Sequence, residues 1–304
     1  MKYIIETKNL TKKYGPNYGV KDINIHLEKG QIYGLVGRNG AGKTTIMRML
    51  SGLSNPSEGS FFILGKDGVN NPVTRSKVGC LIENPGIYPN MTAEENLKLK
   101  CMALGVKDKS VVKNLLIKLG LENTGAKKAG KFSLGMRQRL GIAMALVGNP
   151  EIVILDEPIN GLDPQGIAEV RETIEKLNKG NGITFIISSH LLEELSKIAN
   201  KYGFIHGGRL LQEFTSEELE GKCSKRVELH VNNVEITAKA LENMGIKNYK
   251  VIDKSHIHIF EQMDKTAEIN KQLCKSDIEV IEIIIKNETL EDFYLNMTGG
   301  KVNA

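Results

Sequence analysis

These 304 residues predict an α/β chain with a smaller α+β unit behind it. Three observations carry that fold class. Short apolar runs at residues 31–36, 152–155 and 183–188 read as strands buried on both faces, as in a parallel sheet. Residues from about 87 to 150 change to helical periodicity, as a helical subdomain inserted into that core would. Beyond residue 222 the order becomes strand, helix, strand, strand, helix, strand, the ferredoxin-like pattern.

Taken in order, residues 1–30 read as strands of an antiparallel edge sheet. Tyr14 falls in the turn between two of them, where a tyrosine on its own is surface structure. The strand 31–36 runs into Gly37-Arg38-Asn39-Gly40-Ala41-Gly42-Lys43-Thr44. A helix over Lys43–Leu53 follows, with Ile46, Met49, Leu50 and Leu53 on one face. Residues 60–66 and 77–82 read as further strands, the second ending at Glu83-Asn84-Pro85. In the helical block, Thr92-Ala93-Glu94-Glu95 spells a capping box. Ser110–Leu121 and Met136–Val147 each carry one apolar helical face.

The glycine loop is the chemical centre of the chain. Glycine, four residues, glycine, lysine and a hydroxyl residue form the phosphate-binding pattern, and strand before with helix after is the context that gives it meaning. The bland alternative is a glycine turn that happens to contain lysine. In the phosphate reading, the loop N–H groups and the helix N-terminus favour an anion. Gly37, Asn39, Gly40, Ala41, Gly42, Lys43, Thr44 and Thr45 are then candidate nucleotide contacts. Lys43 supplies charge to the outer phosphates and Thr44 an oxygen to Mg²⁺. The strand Ile152–Leu155 ends in Asp156-Glu157, at the sheet edge where ligands of open α/β folds bind. Asp156 is a candidate Mg²⁺ ligand and Glu157 a candidate for polarising a water; the alternative is a strand end with solvated acids. His190 follows the next core strand on the same side, and structural and functional readings of it are equally open.

Composition narrows the class. Charged residues are 25% and apolar residues 40%, ordinary for a globular chain. No apolar run approaches the ~18 residues of a membrane helix, and the first six residues read as a strand, so a cytosolic location is expected. Cys80, Cys101, Cys223 and Cys274 are widely spaced, without a Cys-x-x-Cys pair, and are expected to be reduced and structural. The net charge of +5 falls on residues 1–221, with residues 222–304 close to balanced. So slight an excess does not call for nucleic acid.

With these residues in place, the chain resembles the ATP-binding cassette subunits of ABC transporters over about residues 3–215. The features in order are Tyr14, the phosphate loop, the turn at Glu83, the signature Phe132-Ser133-Leu134-Gly135-Met136-Arg137-Gln138-Arg139, the Asp156-Glu157 strand end, Gly161-Leu162-Asp163 and His190. The resemblance implies a P-loop NTPase core with antiparallel edge sheet and inserted helical subdomain, spanning residues 1–221. A small ferredoxin-like α+β domain at 222–304 would regulate or help hold two cassettes together. It further implies that Tyr14 stacks on adenine, that His190 senses the γ-phosphate, and that Ser133 and Gly135 reach the nucleotide of a second cassette in a head-to-tail dimer, expected to be a homodimer. ATP and Mg²⁺ are the implied cofactors, with Thr44, Glu83 and Asp156 at the metal. A separate transmembrane permease subunit would hold the chain at the cytoplasmic face of the membrane. Two positions depart from the family: Glu83 stands where glutamine is usual, and the signature has Leu134 for a glycine and Met136 for glutamine. Both read as tuning of an active ATPase.

Residues 82–89 and 289–300 resemble the bacitracin-type and lantibiotic immunity cassettes, implying export of antimicrobial peptides or drugs. The competing class is a non-transport ATPase of the same superfamily acting on ribosomes or nucleic acid. Such proteins are expected to carry two cassettes or a long coiled-coil insertion, and this sequence has neither. In the C-terminal unit, His256 and His258 share a strand face; a metal pair and a half-exposed strand are the two readings, with no third ligand in view.

Overall fold

The computed structural model describes residues 2–69, 71–222, 225–287 and 289–299. The chain divides into two compact units, Met1–Ser216 and Glu217–Ala304. In the first, β1 (Ile5–Tyr14), β2 (Asn17–Ile23) and β3 (His26–Leu27) precede β4 (Ile32–Val36), and α1 (Lys43–Leu50) leaves the glycine loop. Then come β5 (Glu58–Ile63), β6 (Lys66–Asp67), α2 (Pro72–Arg75) and β7 (Val78–Leu81). The helical block holds α3 (Ala93–Ala103), α4 (Ser110–Lys118) and α5 (Leu134–Leu146). The core resumes with β8 (Ile152–Asp156), α6 (Pro164–Asn181), β9 (Thr184–Ser189), α7 (Leu192–Ser196), β10 (Lys201–His206) and β11 (Arg209–Thr215).

Two sheets follow from the burial pattern. β1, β2, β3, β5 and β6 make the antiparallel edge sheet. The second sheet has the order β11-β10-β4-β9-β8-β7, parallel throughout except for the outer β11. Every residue of β4, β8 and β9 is buried, which is why these strands are continuous apolar runs. Pairing of Leu35 with Ser188 and of Asp156 with Ser188 brings the C-terminal ends of β4, β9 and β8 side by side. Chain leaving those three ends therefore converges on one edge of the sheet.

Some boundaries differ from expectation for local reasons. α1 stops at Leu50 because Gly52 adopts φ 76°, and Leu53 falls outside the helix, 64% exposed. The strand expected at 60–66 is two strands, since Leu64 and Gly65 both take positive φ and turn the chain into a hairpin. The helix expected to Leu121 ends at Lys118, ahead of Gly120 at φ 62°. The Thr92 capping box forms: Glu95 N–H donates to Thr92 Oγ1 at 3.1 Å, and Thr92 N–H to Glu95 Oε2 at 2.7 Å.

The second unit contains β12 (Lys225–Val231), α9 (Val234–Asn243), β13 (Tyr249–Val251), β14 (His256–Ile259), α10 (Thr266–Lys275), β15 (Val280–Asn287) and α11 (Leu290–Met297), while α8 (Ser216–Lys222) spans the division. Its sheet runs β13-β14-β12-β15, all antiparallel, the arrangement of a ferredoxin-like unit. Val227, Leu229, Val231, Ile257 and Ile259 alternate into a core shared with Leu241, Ile269 and Leu273. α11 had no counterpart among the expected elements, although Thr289 and Asp292 form a capping box at its start. His256 pairs with Asp253 at 2.9 Å and His258 with Glu228 at 3.5 Å. Both side chains are half-buried on β14, and among the described residues no group of three or more His, Cys, Asp or Glu could hold a metal.

Helix α5 packs closely on β7, and Gly79 is the point of closest approach. A Cβ at Gly79 would lie 2.0 Å from the Ala145 carbonyl oxygen. Gly79→Ala is expected to cost about 1–3 kcal/mol through overpacking, seen as a lowered unfolding midpoint. Gly180→Ala, in helix α6 with open space around it, should instead stabilise by up to ~1 kcal/mol. Equal midpoints for the two variants would refute this account of the α5–β7 contact.

Candidate nucleotide site

Residues 37–44 wrap between β4 and α1, and two glycines have no substitute there. A Cβ at Gly37 would sit 2.6 Å from the Ile205 carbonyl oxygen. Gly42 has φ 110°, and its Cβ would lie 2.4 Å from Val20 Cγ1. Arg38, Asn39 and Gly40 form the exposed tip, while Ala41 is buried. Lys43 is only 6% exposed. Its ammonium donates to the Gly37 carbonyl at 2.6 Å and the Arg38 carbonyl at 3.3 Å, and lies 3.3 Å from Glu157 Oε1. It thus donates to two loop carbonyls and stands beside the Glu157 carboxylate as an ion pair without a hydrogen bond.

The strand ends supply the rest. Asp156, buried at the end of β8, accepts from Thr44 Oγ1 at 2.8 Å and from Ser188 Oγ at 2.6 Å. Ser188 Oγ in turn accepts the Glu157 N–H at 2.9 Å. That bond fixes the turn after β8, where Glu157 takes φ 49°, a conformation that costs a non-glycine residue about 1 kcal/mol or more. Glu157 Oε2 is held by His190 Nδ1 at 2.8 Å. Its other oxygen, Oε1, is buried without a hydrogen-bond donor, compensated only by the charge of Lys43. A carboxylate oxygen with free lone pairs can accept from a water once one reaches it.

The structure thus brings Lys43, Thr44, Asp156, Glu157 and His190 together. Tyr14 ends β1, half exposed, with the Lys12 ammonium 5.6 Å from its ring centroid. Gly19 is where Tyr14 and Thr45 meet, since a Cβ there would lie 2.8 Å from the Tyr14 ring and 3.4 Å from Thr45 Cγ2. Ser133 and Gly135 lie elsewhere. Ser133 caps α5, its Oγ accepting the Met136 N–H at 3.2 Å, and a Cβ at Gly135 would make ordinary van der Waals contact with Leu162 Cδ2 at 3.7 Å and Gly166 Cα at 4.0 Å. Glu83 is engaged by Arg48, whose Nη2 donates to Oε1 at 2.7 Å. Ser188, Gly19 and Arg48 were not among the residues expected from sequence. The hydroxyl pair Ser188-Ser189 closing an apolar strand was the readable signal for the first.

Comparison with known proteins agrees with this geometry. A family model described as ABC transporter matches residues 20–160. The chain is 42% identical over 301 residues to the bacitracin transport ATP-binding protein BcrA of Enterococcus faecalis, covering 99% of this chain and 98% of that one. It is 41% identical over 230 residues to the lantibiotic transport ATP-binding protein SrtF of Streptococcus pyogenes, covering 76% of this chain and 96% of that one. Among solved structures, a dimeric post-hydrolysis ATP-binding cassette bound to ADP and Pi superposes with a TM-score of 0.63 at 25% identity, covering 70% of this chain and 98% of that one.

Ser188→Ala would strip partners from Asp156 Oδ1 and from the Glu157 N–H together. Leaving such groups unsatisfied costs about 1–3 kcal/mol, so the unfolding midpoint should fall measurably. Ser188→Thr, which keeps the hydroxyl, should recover most of the loss. Identical midpoints for Ala and wild type would show that the bridge carries no weight.

Proposed function

The chain belongs to the ATP-binding subunits of ABC transporters, and from that premise we propose that it powers an exporter of antimicrobial peptides of the bacitracin or lantibiotic kind. Full-length likeness to a bacitracin transport ATP-binding protein supports the substrate class. No helix among the described residues is long and apolar enough to cross a membrane, so a separate permease subunit would form the pathway and hold this chain at the cytoplasmic face. The second cassette would be another copy of this chain, its Ser133 and Gly135 completing the site around Lys43.

The single observation that carries the catalytic reading is the orphan Oε1 of Glu157 beside Lys43. Glu157 is the group that orients and polarises the attacking water, with His190 fixing its other oxygen and facing the γ-phosphate. Lys43 gives up its loop carbonyls for the β- and γ-phosphates, and loop N–H groups share the same anion. Tyr14 stacks on the adenine. Thr44 and Asp156 fit Mg²⁺: a hydroxyl and a buried carboxylate 2.8 Å apart are the hard oxygen donors the ion takes when phosphates and waters fill its remaining positions. The ion would neutralise charge building on the transferred phosphoryl group.

Glu157→Gln should lower ATP turnover about 10²–10⁴-fold, the usual contribution of general-base catalysis, while ATP binding persists. Unchanged turnover would remove the role given to Glu157. In cells lacking the chain, bacitracin or lantibiotic sensitivity should be rescued by wild type and not by Glu157→Gln. Rescue by both would break the link to ATP hydrolysis, and co-sedimentation with ribosomes instead of membranes would overturn the exporter reading.

A further inference from the structure

The sheet of the second unit has two edges, β13 and β15. β13 has three residues, while β15 has eight and pairs with β12 alone among the described residues. A long edge presents unpaired N–H and C=O groups that another strand can take, and proteins blunt such edges with a proline, a bulge or a covering element. From Glu282 to Lys286 this edge has no proline, and its pairing with β12 is regular; the one register shift lies before it, at Ile281. Four of the five residues 281–285 are isoleucine, and Ile281 and Ile285 are 61% and 50% exposed. The register against β12 assigns the faces. Glu282, Ile284 and Lys286 stand opposite His230, Glu228 and Arg226, and Ile283 and Ile285 stand opposite the core residues Leu229 and Val227.

We propose that β15 pairs edge to edge with β15 of a second copy of this chain, antiparallel about a two-fold axis at Ile284, joining two four-stranded sheets into one. The sequence of the strand is complementary to itself in that register and in no neighbouring one. Ile284 meets the partner's Ile284, Ile283 meets the partner's Ile285, and Glu282 meets the partner's Lys286, the last two contacts each made twice by symmetry. A shift of two residues sets Glu282 or Lys286 against Ile284, and a shift of one turns the charged face onto the apolar face. The charges are available for the contact. Glu282 is exposed and has no ion pair among the described residues. Lys286 bonds Glu228 at 2.7 Å and is 53% exposed, which leaves an ammonium with further donors. The contact lies wholly within the second unit and needs no nucleotide, so it goes beyond the pairing of cassettes around ATP.

The test is sedimentation equilibrium of the full chain without nucleotide, over a series of concentrations, on wild type, Glu282→Lys, Lys286→Glu and an equimolar mixture of these two variants. Wild type should associate reversibly to a dimer. Either variant makes both charge contacts repulsive and should weaken the dimer about tenfold. The mixture should return to within about threefold of wild type, because lysines at both positions of one strand then meet glutamates at both positions of the other. Lys286→Glu also loses its bond to Glu228, so unfolding midpoints are measured alongside. Should that variant unfold, Glu282→Gln decides in its place: it removes the attraction without adding repulsion and should weaken the dimer about threefold, less than Glu282→Lys. A wild-type monomer at every concentration, a dimer indifferent to Glu282→Lys, or a mixture no tighter than its components overturns the interface. None of these results touches the reading of the site around Lys43, whose measure is ATP turnover.

Discussion

The two hydrogen bonds that Asp156 accepts, from Thr44 and from Ser188, tie the ends of β8 and β9 to the start of α1. Remove either and the geometry of the loop no longer refers to the geometry of the acids. The bonds exist because β4, β9 and β8 are adjacent and parallel, in a register that sets Asp156 opposite Ser188. That register is in turn held by strands buried on both faces, where a one-residue slip would reverse every apolar side chain. The site is therefore rigid where it must be: its carboxylates stand on the most deeply buried strands of the first unit.

Charge inside the site is balanced internally without nucleotide. Lys43 rests on two carbonyls and on Glu157, and Glu157 rests on Lys43 and His190. An arriving triphosphate replaces carbonyl dipoles with full negative charge, so Lys43 gains by the exchange. In the proposed function, an exchange that drew the ammonium away from Glu157 Oε1 would leave that oxygen to a water.

Much of this was legible in the sequence, for identifiable reasons. The phosphate loop, the apolar strands and the acids at the end of β8 are local signals, each written within a dozen residues. The ferredoxin-like order was readable because Val227, Leu229 and Val231 alternate on one strand and Ile257 and Ile259 on another. What escaped was non-local or compensated. Ser188 matters through partners 31 and 32 residues away. Gly19 matters only because Tyr14 and Thr45 converge on it. Glu83 was expected at a metal only through the family resemblance, and only the fold brings Arg48, 35 residues earlier, within 2.7 Å. Leu53 had the right period for α1 but lay beyond a glycine that turned the chain.

In the proposed function, one chain would account for one half of a composite site. Helix α5 begins at Leu134 with no acidic residue in its first turn, so its partial positive end is uncompensated by its own sequence. Ser133 satisfies one backbone donor through Met136, leaving others of the first turn without an intrahelical acceptor. Gly135 adds no side chain that would keep an anion at a distance. Gly135 lies beside Leu162 and Gly166 of the same chain. A positive helix end and a phosphate loop share an affinity for anions. In the proposed pairing of two cassettes this helix end would face the partner's phosphate loop, and the degenerate residues Leu134 and Met136 leave its electrostatic character unchanged.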